Sequence, residues 1–447
     1  MTNPGGFLEY ATSTAVRPRV KMTLPARGPF EFPAPYSTVG IRLTNADDTG
    51  GADALWYTGY SYWQAINAHV GAPELLVFLS VDRQRGGAGP SLWAVDKATD
   101  QVRPLGAIFP AEHALSWSTG EGWYFSATEP LILYACDLNC LYRVDVGPVL
   151  SGGAATVSTV VDVRQYRPGK MLWQWHTAQS GVVHSATLKD AATYAADGAI
   201  VFVEGDPSPW REYPRRGQYD EAHVDKAGAW LLTKDNLDGA QGEDNLIYAI
   251  GSTAEPRSIL DEEGAAGHSD NGFEYMIAAD NWNASPGAYR LWQFDEARAP
   301  QGQLVYCTSS WTAELQHVSH CNARAGAPAD QYALGSGASR IDAPRNNEIV
   351  SFRLDGGLDV LVIAPVLTDL DAAGGGLDDY AKLPKGNVDI TGEYFLWTSN
   401  LGGDRLDALL VKVPAHWLVD PAPPPPSRVW TVTAPDGTTR RFVEVPT

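Results

Sequence analysis

Short apolar runs, each entered through a polar turn, recur along this chain. Leu75-Leu-Val-Phe-Leu79 and Ala199-Ile-Val-Phe-Val203 have the length and β-branched content of buried strands. In the clearest copies a His or Asn stands just before the turn: His176-Thr-Ala-Gln-Ser-Gly181, His223-Val-Asp-Lys-Ala-Gly228 and Asn387-Val-Asp-Ile-Thr-Gly392. Looser copies begin at His113, His268 and His320, and a seventh at His69. The turn chemistry follows from the residues. Gly supplies a positive φ, and Asp or Asn bonds its own backbone. Successive anchors lie 44, 63, 47, 45, 52 and 67 residues apart, a period that suits four-stranded blades with loop insertions. No long stretch carries apolar residues at helical spacing. The pattern predicts an all-β chain: a seven-bladed β-propeller with a short C-terminal β-hairpin appendage.

Boundaries follow from changes in that pattern. Residues 1–50 form an irregular, Pro-rich segment with one expected strand at Thr38–Leu43, assigned the role of closing the last blade. The propeller is expected over 51–418, a polyproline linker over 419–427 and the hairpin, turning at Pro435-Asp-Gly, over 428–447. A polar, aromatic loop is expected at 204–220. The longest insertion, 368–386, is read as a flap over one face.

Composition narrows the partners. A net charge of −20 repels nucleic acid and anionic membranes, and no Lys/Arg-dense stripe offsets it. No apolar run reaches the roughly 18 residues that span a bilayer. The N-terminus lacks a secretory pattern, so the expected location is the cytoplasm, or outside the cell with a leader absent from this sequence. Cys136 with Cys140, and Cys307 with Cys321, fit either two disulfides or buried free thiols. The 15 Trp and 19 Tyr are expected mainly between blades.

Anchors on inner strands look into a central channel. By strand parity His223 shares a face with Asp225, His268 with Asp270, and Asn387 with Asp389. Either each imidazole orders the channel by bonding its neighbours, or some of them bind a metal or an anionic group. Gln316-His317-Val-Ser-His320, with His268 from the preceding blade, is the densest cluster. Imidazoles with an amide oxygen suit a divalent ion: manganese, or calcium or zinc.

The blade pattern resembles the TolB- and WD40-like propellers. Within that group, Gly267-His-Ser-Asp-Asn-Gly272 followed one blade later by Gln316-His-x-x-His320 is similar to the layout of oligogalacturonate lyases. The chain departs from them in having His-x-x-His where they have His-x-His. Ulvan-lyase propellers are a second resemblance. These families imply β-elimination on a uronate, with His268, Gln316, His317 and His320 as metal ligands in the first case. A cation neutralises the carboxylate, a base removes the α-proton and an acid protonates the leaving oxygen. On that reading Arg211, Arg215, Tyr219 and His223 are the catalytic candidates. His113, His176, His184, Asn387 and Trp282 are expected against an acidic oligosaccharide. The rival reading is a non-catalytic binding or assembly module, with the hairpin docking a protein partner. Fold alone does not separate the two.

Overall fold

A computed structural model describes the chain except for residues 1–4, 46–54, 58, 118–121, 240–243, 260–265, 281–287, 296–301, 308–316, 321–330, 358, 402, 404, 419–428, 434–438 and 444–447. Seven antiparallel sheets of four or five strands follow one another along it as the blades of a propeller. From blade 1 to blade 7 the inner strands are Leu55–Tyr57, Trp123–Phe125, Lys170–Thr177, Gln218–Val224, Ala266–Asn271, His317–His320 and Asn387–Val388. Within blades 1–5 the strands step outward in sequence order, and in blades 6 and 7 N-terminal strands lie outermost.

Middle strands are apolar on both faces because each blade is covered on both sides. In Glu74–Val81 of blade 1 every residue after the first is buried. Most of the core therefore lies between blades. Trp123 of blade 2 stacks on Phe78 of blade 1, ring centroids 4.6 Å apart. Trp123, Trp175, Trp292 and Trp397 are all under 2% exposed, so these aromatics serve packing.

The recurring turn has the chemistry its sequence dictates. In blade 4 the Asp225 carboxylate accepts from the backbone N–H groups of Ala229 and Trp230, at 2.8 and 2.9 Å, and from Glu274 of the next blade at 2.9 Å. Gly228 has φ +73°, and a Cβ there would stand 2.9 Å from Val183 Cγ2 of the preceding blade. Glycine is thus required both by the turn and by the approach of two blades.

N-terminal strands complete the ring. Val39–Arg42 pairs with Asp407–Lys412 of blade 7, setting Gly40 opposite Val411 and Ile41 opposite Leu410, and Gly28–Glu31 lies outside it. Phe7–Tyr10 adds a fifth strand to blade 6 by pairing with Asp359–Pro365. Near the C-terminus, Val429–Thr433 and Thr439–Val443 pair as a hairpin.

Cys136, Cys140 and Cys307 are buried free thiols, while Cys321 lies outside the described residues. Cys140 sits opposite Asp137 and Cys136 opposite Leu141, so the pair is out of register for a bridge. Burial pushes the Cys136 thiol up, with Asp137 adding to it, so it is held as an inert packing group. No helix among the described residues is long and apolar enough to cross a membrane.

Candidate active site at the channel mouth

Among the described residues four inner strands are irregular. Register shifts fall between Leu55 and Tyr57, Trp173 and His176, Tyr219 and Ala222, and Ala266 and Ser269. Such bulges re-aim the side chains beside them. In blade 1 the interruption is largest. After Leu55–Tyr57 the chain leaves the sheet and rejoins it where Ile66 bridges Val77. The excursion carries Tyr60 and Tyr62 to the rings of the other blades.

Tyr62 packs against two imidazoles, its ring 4.8 Å from His176 and 4.5 Å from His223. Those imidazoles stack on each other at 4.2 Å and 20°. Tyr124 of blade 2 closes the other side of His176 at 5.0 Å. Beside them Glu221 accepts from Lys234 Nζ at 2.7 Å and from the Tyr62 hydroxyl at 3.4 Å. His223 Nε2 stands 3.0 Å from Glu221 Oε2 without hydrogen-bond alignment. All six residues are buried.

Burial sets the protonation of this group. It drives His176 well below its ordinary value, with the charges of His223 and Lys226 adding to the effect, so His176 is a neutral imidazole. Burial alone would raise Glu221, but His223 and Lys234 outweigh it and hold the carboxyl well below the usual range. A group whose folded value is depressed below 6.5, as for His176, binds fewer protons than the unfolded chain. Stability should therefore fall as pH drops below about 6.5, in urea unfolding midpoints compared at pH 7.5 and 5.5. His176→Phe should show a smaller drop; an equal drop would mean that other groups carry the acid response.

Above this cluster lie the half-buried Tyr60 and the exposed Tyr380. Here the upper face is the one on which the inner strands begin. Tyr60 packs on Tyr62 at 4.8 Å and lies 6.1 Å from the half-buried His268 ring of blade 5. The Tyr60 hydroxyl is hydrogen-bonded to that of Tyr380, which belongs to the insertion between blades 6 and 7. The Lys385 ammonium sits 4.1 Å from the Tyr380 ring centroid and donates to the Tyr380 carbonyl. Burial lowers Lys385 to about 8, with Asp378 opposing. The mouth thus combines two phenols, an imidazole and an amine that titrates near neutrality.

The residues singled out from the sequence divide into those at this centre and those away from it. His176, His223 and His268 meet at or below the mouth. Asn387 stands on the inner strand of blade 7, buried, with both ends of its amide unpartnered among the described residues. His317 and His320 fall on the inner strand of blade 6, but their side chains, Gln316 and Trp282 lie outside the described residues. His113 is not on an inner strand. It lies in the connection between blades 1 and 2 and stacks on Phe109 at 4.7 Å. His184 is on the second strand of blade 3, bonded to Thr177 at 3.1 Å and Glu204 at 3.0 Å. Arg211 is on the outermost strand of that blade and pairs with Asp206 at 2.6 Å. Arg215 follows that strand and is exposed. Tyr219 is carried off the channel by the bulge after it, and its hydroxyl meets Thr187 at 3.2 Å. Burial raises its pKa well above the ordinary value. The functional arginine loop expected at 204–220 is therefore remote from the central cluster.

Tyr60, Tyr62, Glu221, Lys234, Tyr380 and Lys385 stand outside the anchor pattern. Gly59-Tyr-Ser-Tyr-Trp63, aromatic and polar where an inner strand should run, was the available signal.

No sequence family and no curated protein matches this chain. Solved structures do. Oligogalacturonate lyase from Vibrio parahaemolyticus superposes with a TM-score of 0.58 at 10% identity, over 88% of this chain and all of that one. The likeness is one of fold. An oligogalacturonate lyase in complex with manganese gives 0.42 at 12% identity, over 91% of this chain and all of the other. TolB from Acinetobacter baumannii gives 0.39 at 9%, over 65% of this chain and 64% of its own. The expected resemblance to the lyase propellers thus holds as architecture.

Proposed function

We propose that this chain is a carbohydrate-active lyase that cleaves uronate-containing oligosaccharides by β-elimination at the channel mouth. The observation that carries it is the chain of contacts that joins Lys385, Tyr380, Tyr60 and His268. The neutral Lys385 amine takes the proton from the carbon bearing the carboxylate. The electrons of that C–H bond form the new C=C bond as the glycosidic C–O bond breaks. The hydrogen-bonded Tyr60–Tyr380 pair gives the departing oxygen its proton. His268 faces the carboxylate, whose charge must be met for the α-proton to become acidic.

Among the described residues no group of three His, Cys, Asp or Glu side chains could hold a metal. Of the four residues expected as ligands, only His268 has a described side chain. The reaction as proposed is routed through no metal.

Incubation with polygalacturonate, its short oligomers, ulvan and alginate, each with manganese or EDTA, tests the proposal. The unsaturated product absorbs in the ultraviolet, and absorbance rising with one substrate is the expected result. Silence on all of them would leave the binding-module reading.

A further inference from the structure

Arg17-Pro-Arg-Val-Lys21 places three cations within five residues of a chain whose net charge is −20. In the fold this arm and the turn Pro33–Tyr36 wall a cavity of about 280 Å³. Sites for drug-sized ligands run to roughly 300–1,000 Å³, so this one suits a single sugar ring or a group of similar size.

Its charges are not equivalent. Arg17 pairs with Glu9 and, at 3.2 Å, with Glu348. Arg345 binds the same two carboxylates, 2.9 Å from Glu348. Two guanidiniums thus match two carboxylates, and Arg17 is a fixed wall. The Tyr36 hydroxyl donates to Glu348 at 2.9 Å, and burial beside that carboxylate keeps the phenol neutral. Arg19 is different. Its nearest carboxylate is Asp342 at 3.5 Å, 60% exposed, and such a pair is weak in water. Lys21 is exposed and pairs with no carboxylate among the described residues. Two positive charges therefore remain beside rigid proline faces, which offer apolar contact and no N–H donor.

The cavity is also tied to the mouth. Arg19 donates to the Arg340 carbonyl at 2.6 Å, and the Arg340 side chain bonds Asp371 and Asp379, each at 2.6 Å. Both belong to the insertion that carries Tyr380. Residue 340 lies in the loop between the second and third strands of blade 6, which opens on the same face as that insertion.

We propose that this cavity binds the carboxylate of an acidic sugar, with Arg19 and Lys21 meeting the charge and the prolines meeting the ring, as an outlying subsite on the mouth's face. The choice of a uronate as the sugar rests on the lyase reading above. Guanidinium is suited to a carboxylate through paired N–H donors, and lysine through its point charge.

Galacturonate itself, which has no bond to cleave, is the probe. Titrated into the full chain and followed by calorimetry, it should bind saturably while galactose does not. Arg19→Glu/Lys21→Glu should weaken that binding at least tenfold. Arg19→Gln/Lys21→Gln should weaken it by less, with an unchanged melting curve as proof of folding. Equal affinity in wild type and both variants, equal binding of galactose, or no binding would overturn this site. Binding that depends on Arg19 and Lys21 in a chain that cleaves no uronate polymer would retain the site and overturn the lyase.

Discussion

Lys385→Met is expected to lower uronate elimination by about 100-fold or more, the range in which a positioned general base contributes. The residue lies directly before the inner strand of blade 7, with its amine against the Tyr380 ring and hydrogen-bonded to the Tyr380 carbonyl. Burial depresses it to about 8 because the charged form loses water that one carbonyl and an aromatic face do not replace. A base works in its deprotonated form, so kcat/KM should rise with pH through about 8 and then level. Removing the amine should abolish that limb along with the rate. Lys385→Arg separates the roles. A guanidinium keeps the charge and the bond to the Tyr380 carbonyl but does not deprotonate in this range. A base role predicts that arginine is as inactive as methionine; an arginine variant with wild-type activity would show that Lys385 acts by charge or by holding the insertion. Thermal unfolding of each variant checks that the insertion stays in place.

The blades were legible because their signal is local. An Asp, a Gly three residues on and an apolar run are enough to make a turn and a buried strand, and at His223–Leu232 and Asn387–Trp397 the chain folds as that chemistry requires. His113 shows the limit of the pattern. It precedes an apolar run at the right spacing, yet the inner strand of blade 2 begins only at Trp123, and His113 caps a turn by accepting from the Leu115 N–H at 3.2 Å. Strand parity failed for a different reason. It puts Tyr219 on the face of Glu221 and His223, but the bulge before Ala222 turns Tyr219 toward Thr187. The mouth was hidden for a third. Tyr60, Tyr380 and Lys385 are more than 300 residues apart at their extremes. The low proton affinity of Lys385 comes from burial, which no local pattern records.

Asp389→Ala is expected to destabilise the propeller by roughly 2–5 kcal/mol, the cost of leaving the buried donors around this carboxylate without an acceptor. Asp389 Oδ2 lies 2.9 Å from His69 Nε2, and both side chains are fully buried. The same carboxylate accepts from the Thr391 N–H at 2.9 Å and the Tyr394 N–H at 2.8 Å, and from the Thr391 hydroxyl. Its loss strands the buried donors of His69 and Tyr394, each costing about 1–3 kcal/mol. The location raises the stakes. His69 belongs to blade 1 and Asp389 to blade 7, so the pair joins the two ends of the ring, beside the N-terminal strand that pairs with Asp407–Lys412. Asp225 gives the control. It occupies the matching turn of blade 4 and accepts four backbone N–H groups at 2.8–3.3 Å, but among the described residues no imidazole bonds it. If the latch matters beyond the turn, Asp389→Ala should cost more than Asp225→Ala in urea unfolding. His69→Phe and Asp389→Ala should then couple by at least about 1 kcal/mol in a double-mutant cycle. Strict additivity would reduce Asp389 to another turn residue and leave ring closure to the N-terminal strands alone.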